Sequence, residues 1–125
     1  MIHKILLIGA GGFIGSVARY FLSRLNLTID FFSIPVGTLV VNITGSLLIG
    51  FLIGFADKSN LLTENWRLFL MVGLCGGFTT FSSFTGENLV MLHSAQYLSV
   101  ILYTTLSIFL GFLAVYLGFV STNLL

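Results

Sequence analysis

Four long apolar stretches make up most of this chain, and they limit what it can fold into. They cover about residues 5–25, 36–56, 66–93 and 97–122, and short polar segments separate them. A helix needs roughly 20 apolar residues to cross about 30 Å of hydrocarbon. Only 7% of the 125 residues are charged, against about a quarter in a soluble domain. We therefore predict an all-α integral membrane protein in which residues 1–125 form a single domain of four transmembrane helices.

The segments between the stretches carry signals expected of loops and helix starts. Residues 26–35 form a polar loop that ends in Pro35, and proline is tolerated in the first turn of a helix. Residues 57–65 form a second, charged loop, in which Thr63 or Asn65 can cap the third helix.

Composition excludes several classes of function. The net charge is +1, so no basic surface for nucleic acid is expected. The single cysteine, Cys75, excludes an internal disulfide and a cysteine-based metal cluster, and we interpret it as a small packing residue. The sequence offers no pair of carboxylates and no nucleophile with a base, so we predict that the protein is not an enzyme.

The N-terminal stretch contains a glycine pattern with two interpretations. Residues 3–16 read HKILLIGAGGFIGS, which is similar to the phosphate loop of a dinucleotide-binding domain, and Asp30 follows at about the spacing of a ribose-binding acid. Such a domain needs several more strand–helix units, and the rest of the chain offers only apolar spans. We therefore predict that these glycines form a helix-contact face.

Small or polar residues recur every four positions in three of the spans. This spacing places them on one helix face, and such faces let helix backbones approach closely in lipid. Packing within one four-helix unit explains most of them, but so many close faces also suggest contact with a second copy. The residues are Gly11 and Gly15 in the first span, Asn42, Ser46, Gly50 and Gly54 in the second, and Tyr103, Ser107 and Gly111 in the fourth.

The third span contains a polar, glycine-rich run, GLCGGFTTFSSFTGEN, at residues 73–88. Such a run is tolerated at membrane depth where it is buried in protein or lines a watery path. We expect Gly76 and Gly77 to interrupt the helix, which frees carbonyl oxygens that could bind a hard cation.

A helix that restarts after this break sorts its residues onto two faces. Thr80, Ser83 and Glu87 fall on one face, and Phe81, Phe84 and Asn88 fall on the adjacent one. The edge of an aromatic ring is electropositive, so phenylalanine edges and hydroxyl donors could bind a small anion. Ordinary core packing of the two phenylalanines remains the alternative.

Ionisable and amide groups inside spans suggest functional sites. Arg19 could attract an anion, or its side chain could reach the membrane interface instead. Glu87 could bind a proton or a cation, or it could be held by hydrogen bonds or by an arginine. Asn42 offers amide donors to a ligand, or it could bond to a neighbouring helix. His93 is expected at the interface and His3 in solvent.

The distribution of basic residues gives only a weak preference for one orientation. Lys4, Lys58 and Arg67 fall on one side of the membrane. Arg24 falls on the other side, and so does Arg19 if its side chain reaches the interface. Because this bias sets orientation, insertion in both orientations is a reasonable hypothesis.

Several of these segments together resemble one known family, the Fluc (CrcB-type) fluoride channels of bacteria. The matching segments are Gly15-x-x-x-Arg19, PVGTLVVNITGS at residues 35–46, GLCGGFTTFSSF at residues 73–84 with Glu87, and, more loosely, residues 103–111. The resemblance covers essentially the whole chain. It implies a fluoride-selective channel of the bacterial plasma (inner) membrane that exports cytoplasmic fluoride passively and relieves its toxicity.

The resemblance also implies an assembly and a set of site residues. The expected assembly is an antiparallel, dual-topology homodimer in the lipid bilayer. A structural sodium ion (Na+) at its interface would be held by main-chain carbonyls of Gly76 and Thr79 from both subunits, and Arg19 would lie in the vestibule. The residues implied for the fluoride pathway are Asn42, Thr80, Phe81, Ser83, Phe84, Glu87, Tyr103 and Ser107.

Two alternatives belong to other functional classes. A proton-coupled small multidrug exporter has a similar size and four spans, but it needs an essential glutamate in its first span, where this chain has no acid. A structural subunit of a membrane complex would explain the glycine faces, but it has no need for a polar break in the third span.

Overall fold

The computed structural model describes residues 1–27 and 30–125, and its regular elements are helices. Among the described residues, four helical segments are long and apolar enough to cross a membrane, which confirms the predicted number of spans. Within the predicted loop 26–35, positions 28 and 29 lie outside the described residues. The first, second and last spans contain helices α1 (Ile2–Ser23), α2 (Val36–Lys58) and α5 (Tyr97–Ser121).

The third span consists of two helices rather than one. Helix α3 covers residues 64–78, where the α-helical turns Glu64–Arg67 and Gly76–Phe78 flank a π-helical segment, Leu68–Cys75. Helix α4 (Phe81–His93) follows after two residues of extended backbone. The third span is therefore interrupted, as the polar run predicted.

The N-terminal glycines form a helix contact, as expected from their spacing. Residues 3–16 lie inside α1, so the alternative of a strand and phosphate loop is wrong. Gly11 and Gly15 are buried against α3, and a Cβ atom at Gly15 would lie 2.2 Å from the Leu74 carbonyl oxygen. Only a hydrogen at this position lets the two backbones approach so closely.

Helices α2 and α5 pack through a reciprocal pair of glycines. A Cβ atom at Gly50 would lie 2.1 Å from the Val115 carbonyl oxygen, and one at Gly118 would lie 2.1 Å from the Leu47 carbonyl oxygen. Each helix thus presents a glycine to the backbone of the other. This contact fixes the distance between the two helices that flank the broken span.

The loop before α2 adopts an unusual backbone conformation. Phe32 and Ser33 both have positive φ angles, 51° and 59°, which are costly for residues other than glycine. Asp30 Oδ1 accepts from Ser33 N at 3.2 Å, and Ser99 Oγ donates to the Phe32 carbonyl. The next residue, Ile34, is 2% exposed and packs into the core beside α5. These contacts hold the first turn of α2 over α4 and α5.

Candidate functional site

The break in the third span falls at Thr79 and Thr80, not at the glycines. Thr79 (φ −78°, ψ 158°) and Thr80 (φ −150°, ψ 124°) are extended, whereas Gly76 has helical angles of −64° and −39°. The prediction that Gly76 and Gly77 interrupt the helix is therefore wrong. Gly77 has a packing role instead, because a Cβ atom there would lie 2.5 Å from the Gly12 carbonyl oxygen.

Asn42 of α2 holds the break open with two hydrogen bonds to one residue. Thr80 N donates to Asn42 Oδ1 at 2.8 Å, and Asn42 Nδ2 donates to the Thr80 carbonyl at 2.9 Å. The amide thus replaces the Gly76 carbonyl as the acceptor for Thr80 N, and it also donates to the Thr80 carbonyl at the start of α4. The interhelical bond considered for Asn42 is present, and it uses one of the two N–H donors of the amide.

The break also redirects the donors that a continuous helix would give to two carbonyls. Thr80 N, the helical donor to the Gly76 carbonyl, bonds to Asn42. Ser83 N, the helical donor to the Thr79 carbonyl, bonds to Thr80 Oγ1 at 3.1 Å and so caps α4. The Gly76 and Thr79 oxygens lose their helical donors, and carbonyl oxygens suit a hard cation. The residues present therefore fit the Na+ expected from the resemblance.

A first cavity, of about 450 Å³, opens beside the break. It collects many of the residues predicted for the pathway and for the cation. The ring centroids of Phe81 and Phe84 lie 5.9 Å apart there. Predicted residues that line this cavity are Asn42, Gly76, Thr79, Thr80, Phe81, Phe84 and Ser107.

The two phenylalanines differ in how far core packing explains them. Phe81 is 77% exposed in the chain, so packing inside one chain does not account for it. Phe84 is half-buried, and its ring packs against Tyr103 at a centroid distance of 5.1 Å and an interplanar angle of 77°. The hydroxyl of Ser107 is buried at this cavity and has no hydrogen-bond partner among the described residues.

A second cleft, of about 300 Å³, contains the polar face of α4. Thr80, Ser83 and Glu87 line it together, as their spacing predicted, and Arg19 lines it from α1. The Nε atom of Arg19 is buried without a hydrogen-bond partner among the described residues. Among the residues that the structure describes, the one ion pair joins Lys4 and Glu64. Arg19 and Glu87 therefore line the same cleft without forming a salt bridge.

Glu87 is held by two hydroxyl groups, the hydrogen-bonded alternative considered for it. Thr38 Oγ1 donates to Glu87 Oε1 at 2.6 Å, and Tyr103 Oη donates to Oε2 at 2.6 Å. Thr38 is 2% exposed and Tyr103 is 0% exposed. Tyr103 thus contacts the predicted site residue Glu87 rather than lining the first cavity.

The hydrogen bonds around Glu87 also involve two residues that we did not predict from the sequence, Thr38 and Asn26. Thr38 lies one helical turn before Asn42, so it extends the four-residue spacing of the second span backwards and could have been found by that signal. Asn26 lies in a short 3₁₀ turn, Arg24–Leu27, after α1, and it bonds to Thr38. Its partner is set by tertiary structure, and no local pattern indicates it.

These features define a class of protein: a multi-pass membrane protein with a broken helix whose polar residues line cavities at membrane depth, as in channels and transporters. The family described as CrcB-like protein, Camphor Resistance (CrcB), matches residues 6–119, and the chain belongs to this family. The resemblance found in the sequence is thereby confirmed.

Curated relatives called fluoride-specific ion channel FluC are similar to this chain over nearly its whole length. The protein of Azobacteroides pseudotrichonymphae is 44% identical over 123 residues, which cover 98% of both chains. That of Chlorobium chlorochromatii is 45% identical and covers 95% of this chain and 92% of the relative. That of Flavobacterium psychrophilum is 42% identical and covers 93% and 94%.

Proposed function

We propose that this chain is a fluoride-selective ion channel, which lets fluoride leave the cytoplasm by passive electrodiffusion and relieves fluoride toxicity. The observation that carries the proposal is the first cavity, where the break places Asn42, Phe81, Phe84 and Ser107 around one space. The name of the relatives, fluoride-specific ion channel FluC, supports the choice of ion. The chain is a multi-pass membrane channel and not an enzyme, and we place it in the bacterial inner membrane.

The chemistry of the cavity suits a small anion. Fluoride holds its hydration water tightly, so a pore must offer hydrogen-bond donors in place of that water. The second N–H of Asn42 and the buried Ser107 hydroxyl can both donate to an anion there. The edges of the phenylalanine rings add positive potential without a fixed cation. A fixed cation would bind the anion too tightly to release it.

The proposal is tested by selective efflux from reconstituted vesicles. The purified protein is placed in vesicles loaded with fluoride, and external fluoride is followed with an electrode after the membrane potential is clamped with valinomycin. Rapid fluoride efflux with little chloride efflux is the expected result. Equal chloride efflux, or no efflux, would reject the proposal, and drug-stimulated proton flux would support the exporter alternative instead.

We further propose that two copies associate in an antiparallel arrangement. Support comes from the largely exposed Phe81 and from the weak bias of basic residues between the two sides. An anion path formed by one copy alone would leave this ring facing lipid. A C-terminal tag found on only one face of the membrane in cells would contradict dual topology, and a monomeric mass in detergent would contradict the dimer.

A structural Na+ at the centre of this dimer is the proposed cofactor. The Gly76 and Thr79 carbonyls of both copies would hold it, since each has lost its helical donor. When bound, the ion would neutralise the converging carbonyl dipoles and stabilise the association. Exchange of Na+ for a large organic cation should lower dimer stability, and an unchanged dimer would count against the site.

Replacement of the phenylalanines should separate conduction from folding. We expect Phe81→Ile and Phe84→Ile each to reduce fluoride flux by roughly tenfold, about 1.4 kcal/mol, because an aliphatic side chain has no electropositive edge. Phe84→Ile should also lower stability modestly, since it loses the ring contact with Tyr103. Initial efflux rates and elution of the dimer on gel filtration are the measurements.

Phe112 provides the matched control for these variants. It lies on α5 and is also 77% exposed, but it lines neither the first cavity nor the second cleft. Phe112→Ile should leave the flux within about twofold of wild type. Equal losses in Phe81→Ile and Phe112→Ile would show that the ring edges at the break have no special role.

A further inference from the structure

Asn26 joins the turn after α1 to the start of α2 through two hydrogen bonds to one residue. Its Oδ1 accepts from Thr38 N at 3.2 Å, and its Nδ2 donates to Thr38 Oγ1 at 3.2 Å. Pro35, at the N-cap position of α2, provides no side-chain hydrogen bond. The first N–H groups of a helix need partners outside it, so Asn26 supplies a cap from a different segment of the chain.

The direction of these bonds determines where the Thr38 hydroxyl points. A backbone N–H can only donate, so the amide oxygen of Asn26 must face Thr38 N and its nitrogen must face Thr38 Oγ1. Because Oγ1 accepts from Asn26, its single proton is available for Glu87 Oε1, which lies 2.6 Å away. Tyr103 donates to the other carboxylate oxygen. Asn26, Thr38, Glu87 and Tyr103 thus form a relay in which the donors converge on the carboxylate.

Asn26, Thr38 and Glu87 all line the second cleft, and the relay holds the carboxylate at the wall of this cleft. Thr38 and Tyr103 are buried on α2 and α5, so the Glu87 oxygens point into the contact between those helices and α4. Thr80 and Ser83 line the same cleft as Glu87. A carboxylate released toward them would place a negative charge in the path of an anion, and the low dielectric would make the repulsion strong.

We propose that Asn26 is a positioning residue for anion conduction: it orients the Thr38 hydroxyl toward Glu87 and so keeps the carboxylate at the wall of the cleft, against α2 and α5. The proposal rests on the proposed function, because it requires an anion to cross the second cleft. Asn26 itself need not contact the ion.

The test is the effect of Asn26→Asp in three backgrounds at position 38. Aspartate keeps the oxygen that caps Thr38 N but replaces the amide donor with an acceptor, which competes with Glu87 for the Thr38 proton. We expect a roughly tenfold loss of fluoride flux with the native threonine and with Thr38→Ser, which keeps the hydroxyl. In Thr38→Val no hydroxyl can be redirected and only the added charge remains, so the same substitution should reduce flux by no more than the charge control Ser23→Asp does.

The control for added charge is Ser23→Asp. Ser23 lines the same cleft, and its hydroxyl bonds to the Tyr20 carbonyl rather than to Thr38. Ser23→Asp should reduce flux by the same factor in all three backgrounds. This factor gives the size of a purely electrostatic effect. Gel filtration and thermal unfolding of every variant report whether the fold is retained.

Each outcome decides the proposal. If Asn26→Asp reduces flux by one common factor in all three backgrounds, Asn26 does not act through the Thr38 hydroxyl, and the proposal is wrong. If Asn26→Asp does not fold, the single variants Thr38→Val and Thr38→Ser are compared instead. The valine variant should lose roughly tenfold in flux, and the serine variant should keep the wild-type flux. Equal flux in those two variants would overturn the relay. A wild-type protein that does not conduct fluoride would instead reject the proposed function itself.

Discussion

Asn42→Asp is expected to reduce fluoride flux by about two orders of magnitude. Aspartate can still accept from Thr80 N, but its second oxygen would face the Thr80 carbonyl, where Asn42 Nδ2 now donates at 2.9 Å. Two acceptors in contact repel each other, and the new negative charge lies beside the first cavity. The variant removes a clamp of the break and repels the anion at the same place. Initial efflux from vesicles measures the loss.

Asn88→Asp is the matched control, because it makes the same amide-to-carboxylate change in a different transmembrane helix, α4. Asn88 Nδ2 donates to the Phe84 carbonyl at 3.0 Å, and its Oδ1 accepts from Thr104 Oγ1 at 3.3 Å. This amide bonds within α4 and to α5, and it lines neither the first cavity nor the second cleft. We expect less than a tenfold loss of flux. Similar losses in the two variants would mean that a negative charge inside the membrane, not the loss of the clamp on Thr80, causes the effect.

The position of the break shows what the sequence could predict and what it could not. The polar run in the third span predicted an interruption, and the helix is interrupted within that run. The glycines suggested the wrong position, because glycine is a weak helix former. Gly77 is nevertheless helical, with the Gly12 backbone packed against it, and Gly76 is helical although an added Cβ there would meet only the Met71 carbonyl oxygen at 3.9 Å. The extended pair is set by Asn42, which lies 38 residues from Thr80 in the chain. Such a distant partner is invisible to local propensity.

The contents of the two cavities were predictable for a different reason. A helix restarted after the break fixes the angles between its side chains, so Thr80, Ser83 and Glu87 had to share a face. Their common cleft follows from this geometry. What spacing could not reveal is the orientation of each side chain, which depends on partners from other helices. Tyr103, for example, is buried in a core cluster with Ile34 and Met91, and from there its hydroxyl donates to Glu87.

The glycine faces were predictable as a class but not glycine by glycine. Gly11 and Gly15 contact α3, whereas a Cβ atom at Gly9 would meet nothing within 4 Å. In the second span the four-residue spacing identified Gly50 correctly as a contact position. Spacing gives the angle around a helix, but the depth at which two helices cross decides which glycine meets a backbone.

Gly50→Ala should be among the most destabilising single changes in this protein. The added Cβ would lie 2.1 Å from the Val115 carbonyl oxygen, and backbone atoms cannot move aside as a flexible side chain can. Alanine raises helix propensity by about 1 kcal/mol. Separation of α2 and α5 loses packing and opposes that gain, and we expect a net loss of roughly 2–3 kcal/mol. The loss should lower the unfolding temperature in detergent by roughly 10 °C.

Gly111→Ala tests whether this loss comes from the close contact itself. Gly111 lies on α5 in the same helix pair, but its nearest neighbour to an added Cβ is Ser46 Oγ at 3.9 Å, an ordinary van der Waals distance. This variant should be as stable as wild type or slightly more stable. Because α2 carries Asn42 and α5 carries Ser107, separation of the helices by Gly50→Ala should also lower flux in the protein that remains folded. Equal unfolding temperatures for the two variants would contradict the close approach of α2 and α5, and with it the spacing that positions both residues in the first cavity.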